Sequence, residues 1–405
     1  MAMPVKNFLI LVLVLGLFAG CRGDSADHAE QHDVPGVNST TILLGSSLPL
    51  TGHASYLGTQ TKIGAEIYLK HINNQGGVHG RKIKLVALDD QYDPPQCLAN
   101  TQRLIIRDKV FALFCYVGTP TTVKVLPMIK EARIPLLGMF TGANALREPF
   151  TPYLINIRPS YYRETESAVR HLVQDLGLER FAVFYQYDAY GFDGLTGTEL
   201  ALKEFGLSPV ARSSYTRGTI KVEKAVREIV ASDAQAVFMI GSYNPCAEFV
   251  RQAASRDFHP LYYTVSFVGA EELARRLKDL PQERLIMSQV VPPPLGSDSR
   301  KKSGAVREYI RLLKRYYPKE RPNFVGLEGY INARVLVEGL RRCGRDLSRK
   351  EFISAIESIK GYTLGDDMEI EFGPKDHQGL KKIYFTILKD NTFVPLKDWG
   401  ELKND

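Results

Sequence analysis

With 405 residues, of which 44% are hydrophobic and 24% charged, the chain has the make-up of an ordinary globular protein and room for two domains of about 100–200 residues each. Its formal net charge of +7 is moderate, and the basic residues are scattered through helical patterns, which argues against a nucleic-acid partner. No low-complexity tract and no second membrane-length apolar run occur.

The chain opens with Lys6, an apolar run from Phe8 to Leu17, and the small-residue ending Phe18-Ala19-Gly20-Cys21. The apolar run is too short to span a bilayer, which needs about 20 residues. Residues 1–21 resemble a bacterial lipoprotein signal, with Phe18 where such signals usually carry leucine. The resemblance implies lipidation at Cys21, a membrane anchor and a periplasmic location. Residues 22–40 lack apolar periodicity and read as a flexible tether, and the folded part begins near Thr41.

From there strands and helices alternate. Ile42 to Gly45 reads as a strand, Ile63 to Ile72 as a helix closed by Gly76-Gly77, Ile83 to Asp89 as a strand, and Pro94-Pro95 as a helix start capped by Asp93. Val110 to Cys115 is a β-branched and aromatic run suited to a strand buried on both faces. It breaks at Gly118 into Thr119-Pro120-Thr121-Thr122, ahead of apolar residues at helical spacing. These hydroxyls therefore sit at a helix N-terminus, a favourable place for an anion. Pro135 to Phe140 repeats the plan and feeds Thr141-Gly142-Ala143, so two adjacent strand ends offer small hydroxylic loops to one crevice, where open parallel sheets bind ligands.

After Arg158-Pro159 the alternation starts again, with strands at Phe181 to Gln186, up to Tyr215, and Ala236 to Ile240, separated by helices. Pro292-Pro293-Pro294 marks a crossing between lobes, helices follow near Val306 to Tyr316 and Leu327 to Arg342, and Met368 to Phe372 and Ile383 to Leu388 alternate like antiparallel edge strands. The expected fold is α/β: two doubly wound parallel-sheet lobes. Lobe 1 takes residues 41–158 and 292–361, and lobe 2 takes 159–291 and 362–405. Beyond Cys21, four cysteines in an oxidising compartment allow three pairings. Cys97 and Cys115, placed at one edge of the first sheet, are the expected disulfide, with Cys246 and Cys343 as buried thiols.

Signatures of catalysis are missing. The loop Gly45 to Gly52 has neither the dinucleotide nor the phosphate-loop pattern, no Gly-x-Ser-x-Gly occurs, and the eight histidines show no metal-ligand spacing. Asp89-Asp90 reads as loop and cap chemistry. What the chain offers instead is a set of strand-end loops rich in tyrosine, glycine and hydroxyls: Leu50 to Gly58 with Tyr56, Gly118-Thr119, Thr141-Gly142, Asp188 to Gly191 with Tyr190, and Gly241 to Pro245 with Tyr243. Such loops suit capture of a small polar molecule between two lobes. No catalysis, cofactor or metal is expected.

The first-loop pattern Gly45-Ser46-Ser47-Leu48-Pro49-Leu50-Thr51-Gly52, followed by Asp89-Asp90, Gly118-Thr119-Pro120-Thr121, Asp188-Ala189-Tyr190-Gly191 and Ser266-Phe267-Val268-Gly269, resembles the branched-chain amino-acid-binding (leucine/isoleucine/valine-binding) family of type I periplasmic solute-binding proteins. The resemblance runs from about Thr41 to the C-terminal strands. It implies three crossovers between lobes, near 157–160, 288–294 and 361–367, a monomer, and delivery of the ligand to the membrane subunits of an ABC-type permease; the alternative is a sensing module presenting its ligand to a receptor. It further implies that Thr119, with Gly118, Thr141 and Gly142, grips a ligand carboxylate, that Tyr190 covers the ligand, and that Tyr243 receives its ammonium. Where the family places a glutamate for that ammonium this chain has Ser266, and a family threonine appears as Ala143. The expected ligand is an amino acid, amide or carboxylate that either lacks a free ammonium or meets another acid, such as Glu328; Glu271 or Glu272 is the alternative.

Overall fold

The computed structural model describes residues 34–280, 284–294, 304–365 and 367–403. The signal segment and Cys21 lie outside them. The first sheet is built from β1 (Thr41–Leu48), β2 (Lys82–Asp89), β3 (Ala112–Phe114), β4 (Leu136–Leu137) and β5 (Leu154–Ile155), in the order β2-β1-β3-β4-β5 and parallel throughout. Its crossover helices are α1 (Ser55–Asn74), α2 (Pro94–Gln102) and α3 (Thr119–Ala132). All of β3 is buried, as a central strand covered on both faces should be. Residues 34–40, the end of the expected tether, are held at this sheet: Leu43 N–H donates to Gly36 O at 2.7 Å, and Gly36 lies against the Phe111 backbone.

The second sheet follows α4 (Tyr161–Gln174). It contains β6 (Phe181–Gln186), β7 (Ala211–Tyr215), β8 (Ala236–Ile240), β9 (Leu261–Thr264) and β10 (Leu285–Gln289), with α5 (Ala189–Lys203), α6 (Glu223–Val230), α7 (Tyr243–Ala254) and α8 (Ala270–Leu277) between the strands. The chain then returns to the first lobe through α9 (Gly304–Tyr316), α10 (Phe324–Cys343) and α11 (Arg349–Glu357). A hairpin of β11 (Tyr362–Gly365) and β12 (Met368–Ile370) precedes β13 (Tyr384–Lys389) and β14 (Thr392–Pro395). The last two add antiparallel to β10, giving the order β14-β13-β10-β9-β8-β6-β7.

Two close approaches fix the floor of the cleft. Helix α10 lies directly on α1: a Cβ on Gly64 would stand 1.8 Å from Gly326 O, and one on Gly329 2.2 Å from Thr61 O, so only glycine allows this crossing. This sets the height at which α10 presents Glu328 and Asn332. The strand expected over 135–140 is shorter than its apolar run. Gly138 adopts φ +71°, where the Asn332 side chain reaches its carbonyl at 2.9 Å, and pairing resumes only at the Val117–Phe140 bridge. That kink turns the Thr141 loop toward the cleft.

Candidate functional site

The strand ends of the first sheet form a hydroxylic wall. Gly118, at φ +101°, caps α3, and the ring of Tyr92 lies over it where any Cβ would collide. Thr121 and Thr122 turn their hydroxyls back onto the carbonyls of the Val117-Gly118 turn, at 2.6 to 3.0 Å. Thr119 instead points across to the next loop, its hydroxyl 2.7 Å from that of Thr141, and Ala143 N–H donates to Thr141 Oγ1 at 3.3 Å. The two loops predicted from separate strand ends thus meet through their side chains. Asp89 and Asp90 stand behind this wall in loop roles: Asp89 accepts from Leu50 N–H at 2.8 Å, and Asp90 from the Ser47 hydroxyl at 2.8 Å and Tyr92 N–H at 3.0 Å. Burial raises Asp90 to about 6.

An aromatic cluster fills the centre. Phe267, from the loop after β9, has its ring centroid 4.7 Å from Tyr190, 5.7 Å from Phe140, 6.1 Å from Tyr92 and 6.4 Å from Tyr161. Rings from both sheets therefore close on one side chain. Tyr190 is positioned by Asp188, whose carboxylate accepts from Tyr190 N–H at 3.0 Å at the head of α5, and its hydroxyl donates to Gly241 O at 3.3 Å. The Tyr161 hydroxyl faces Thr141 and Gly142 N–H, and burial pushes it up to about 12 against their pull. The Tyr92 hydroxyl is buried beside Gln186.

A charged group from four distant segments forms a second wall. Arg158, on the crossover between β5 and α4, is 1% exposed; its guanidinium lies 4.8 Å from the Phe140 ring centroid and donates to the Ser266 hydroxyl. Glu164, fully buried in the first turn of α4, accepts from Ser266 N–H at 2.8 Å, the Ser266 hydroxyl at 3.0 Å and the Ser288 hydroxyl at 2.5 Å, and stands 3.5 Å from Arg158 Nη2. Glu328 Oε1 lies 3.6 Å from Arg158 Nε. Burial pushes Glu328 up to about 7, with Arg158 pulling the other way. Burial opposes the charge of Arg158, yet Glu328, Tyr161 and Glu164 hold its pKa above the usual value. Beside it, Arg147 donates to Ala143 O and Arg158 O, and burial lowers it to about 10.

Tyr56 and Tyr243 belong to the rim, 6.4 Å apart edge to face, beside a cavity of about 280 Å³ that Arg276 and Gln60 also line. Arg276 stacks on Tyr243 at 4.7 Å. Glu271 accepts from the Tyr56 hydroxyl at 3.1 Å and Phe324 N–H at 3.0 Å, so it clasps the lobes instead of facing the centre, and Glu272 pairs with Arg275 and Arg276.

Seven of the nine sequence-predicted residues, Gly118, Thr119, Thr141, Gly142, Tyr190, Ser266 and Glu328, stand around the closed centre. Tyr92, Arg158, Tyr161, Glu164 and Phe267 were missed; Arg158-Pro159 was visible only as a boundary. One expectation is corrected: Cys97 and Cys115 are both free. Cys115 follows β3 with φ +55° and its sulfur lies 3.6 Å from the Asn332 side chain of α10, while Tyr116 takes the α2 side, its hydroxyl 2.9 Å from Thr101. Cys97 sits in α2 and cannot meet it.

Residues 41–392 match the profile of the family described as periplasmic binding protein. "Leu/Ile/Val-binding protein homolog 7" of Brucella suis biovar 1 (strain 1330) is 24% identical over 381 residues, 89% of this chain and 88% of that one. A "possible leucine/isoleucine/valine-binding protein" from Rhodopirellula baltica SH 1 superposes with a TM-score of 0.84 at 32% identity, covering 90% of this chain and 98% of that one. A "branched chain amino acid ABC transporter" from Thermus thermophilus with bound valine shares the fold at 18% identity, with a TM-score of 0.79 over 89% and 97% of the two chains.

Proposed function

Because the chain belongs to the periplasmic binding protein family, we propose that it is a solute-binding lipoprotein that captures a small polar ligand between its lobes and hands it to an ABC-type permease without transforming it. The observation that carries this reading is the meeting of the Thr119 and Thr141 hydroxyls at the head of α3, beneath rings contributed by the other sheet. A carboxylate placed there receives hydroxyl donors and the positive end of a helix. Among the described residues no group of acidic, histidine and cysteine side chains could hold a metal.

Binding works by linking closure to occupancy. Direct contacts already join the lobes: Asn144 N–H donates to Asp193 Oδ1 at 2.8 Å, and Glu271 bridges Tyr56 and Phe324. Together with the rings packed on Phe267 these hold the lobes together, and a ligand that bonds both walls adds to the free energy of closure. Native mass spectrometry of the purified protein should reveal a retained small molecule. Returned to ligand-free protein at roughly a hundredfold excess over its dissociation constant, that molecule should stabilise the fold by about 2.7 kcal/mol and shrink the radius of gyration. An unchanged radius at saturation counts against closure. Anchoring by Cys21 is checked by Cys21→Ala, which should release the protein from membranes.

A further inference from the structure

The charged wall has a guanidinium donor left over. Arg158 is 1% exposed; its Nη1 has no hydrogen-bond partner, and its Nε has only the 3.6 Å approach of Glu328 Oε1. A buried guanidinium with an idle nitrogen is costly unless something accepts from it. Glu164 cannot be that acceptor, because its two oxygens already take Ser266 N–H, two serine hydroxyls and the approach of Arg158 Nη2. Glu328 Oε1 remains unpaired 3.6 Å from Nε. Asp193 is committed through one oxygen to Asn144 N–H, with Arg147 as its charged neighbour.

We propose that Arg158 is the specificity-determining residue of this cleft, and that the ligand presents to its Nε and Nη1 an anionic acceptor and carries no ammonium: a small organic acid without an amine. This rests on the solute-binding reading above and names its ligand class. An acid lying between the Thr119–Thr141 pair and Arg158 satisfies the Tyr161 hydroxyl on its way, since that hydroxyl faces Thr141 while the guanidinium lies 5.7 Å from the Tyr161 ring centroid. An ammonium brought to the same place meets Arg158, a like charge, and finds Glu164 saturated. Glu328 already stands 3.6 Å from Arg158 Nε, so an ammonium would have to compete with the guanidinium for it.

The test is calorimetric titration of the ligand-free full-length chain with matched pairs: leucine, phenylalanine, glutamate and alanine, each against the keto acid in which a carbonyl oxygen replaces the ammonium. In every pair that binds, the keto acid should bind at least about tenfold tighter, a difference of about 1.4 kcal/mol. An amino acid that binds tighter than its keto acid overturns the inference and leaves the solute-binding reading standing. Binding of neither member of any pair overturns the inference; the solute-binding reading falls only if native mass spectrometry also shows no retained small molecule. Arg158→Gln should abolish keto-acid binding. Should that variant fail to fold, Tyr161→Phe keeps the ring, and a loss of about tenfold in affinity is expected from removing one hydrogen bond to a charged group; unchanged affinity there contradicts the proposed pose.

Discussion

The two walls of the cleft are built in opposite ways. The hydroxylic wall comes from two successive strand-to-helix turns, and its polar groups meet within 22 residues of sequence, Thr119 with Thr141. The charged wall joins positions separated by 102 to 124 residues: Glu164 to Ser266, Arg158 to Ser266, and Glu164 to Ser288. Local turns encode the first, and only the packed fold assembles the second. Their energetics differ accordingly. The hydroxyls are neutral and satisfy one another, whereas the guanidinium and carboxylates stand in a low-dielectric interior where each depends on its partners.

The sharpest break in that comparison is Glu164→Ala. It strands Arg158 and leaves the Ser266 and Ser288 hydroxyls without their acceptor, so a loss of about 3–5 kcal/mol in denaturant unfolding is expected. A loss under about 1 kcal/mol, the range of an exposed pair, would mean that the wall is not buried in solution.

The pH dependence comes next in size. Glu328 is raised from 4.5 to about 7 by burial, against the pull of Arg158 and Arg147 and with the push of Glu164. The folded state then holds a proton that the unfolded state has released, so this residue's contribution falls as pH rises from about 4.5 and levels off above about 7, by on the order of 3 kcal/mol. Asp90 and Asp193, each raised to about 6 by burial, tilt stability the same way within that window. Glu328→Gln should therefore flatten the decline of melting temperature between pH 4.5 and 7 without removing it. An unaltered slope would show that Glu328 ionises freely in the fold.

Thr119→Val is the smallest perturbation. It deletes one hydroxyl from the local wall, and the loss of stability should be about 1 kcal/mol, because Thr141 keeps Ala143 N–H as a donor. A loss as large as that of Glu164→Ala would erase the distinction between the two walls.

Legibility in the sequence follows the same division. Asp93 caps α2 as read, accepting from Gln96 N–H, and Phe181–Gln186 and Ala236–Ile240 form strands at the bounds that the apolar runs give. The Thr119 turn was visible because glycine, hydroxyls and helical spacing lie side by side. Arg158 offered no such signal: a lone arginine before proline looks like a boundary, and its partners come from α4, α10 and the loop after β9. The disulfide expectation failed for a related reason, since placing Cys97 and Cys115 at one sheet edge says nothing about which face each side chain takes.

A structure of the chain bound to its tightest keto acid tests the central claim most directly. The account predicts an acceptor oxygen of the ligand about 2.7–3.2 Å from Arg158 Nη1 or Nε, with the Thr119–Thr141 hydroxyls on the ligand's other side. A ligand nitrogen against Glu164 or Glu328, with Arg158 turned out of the cleft, would contradict it.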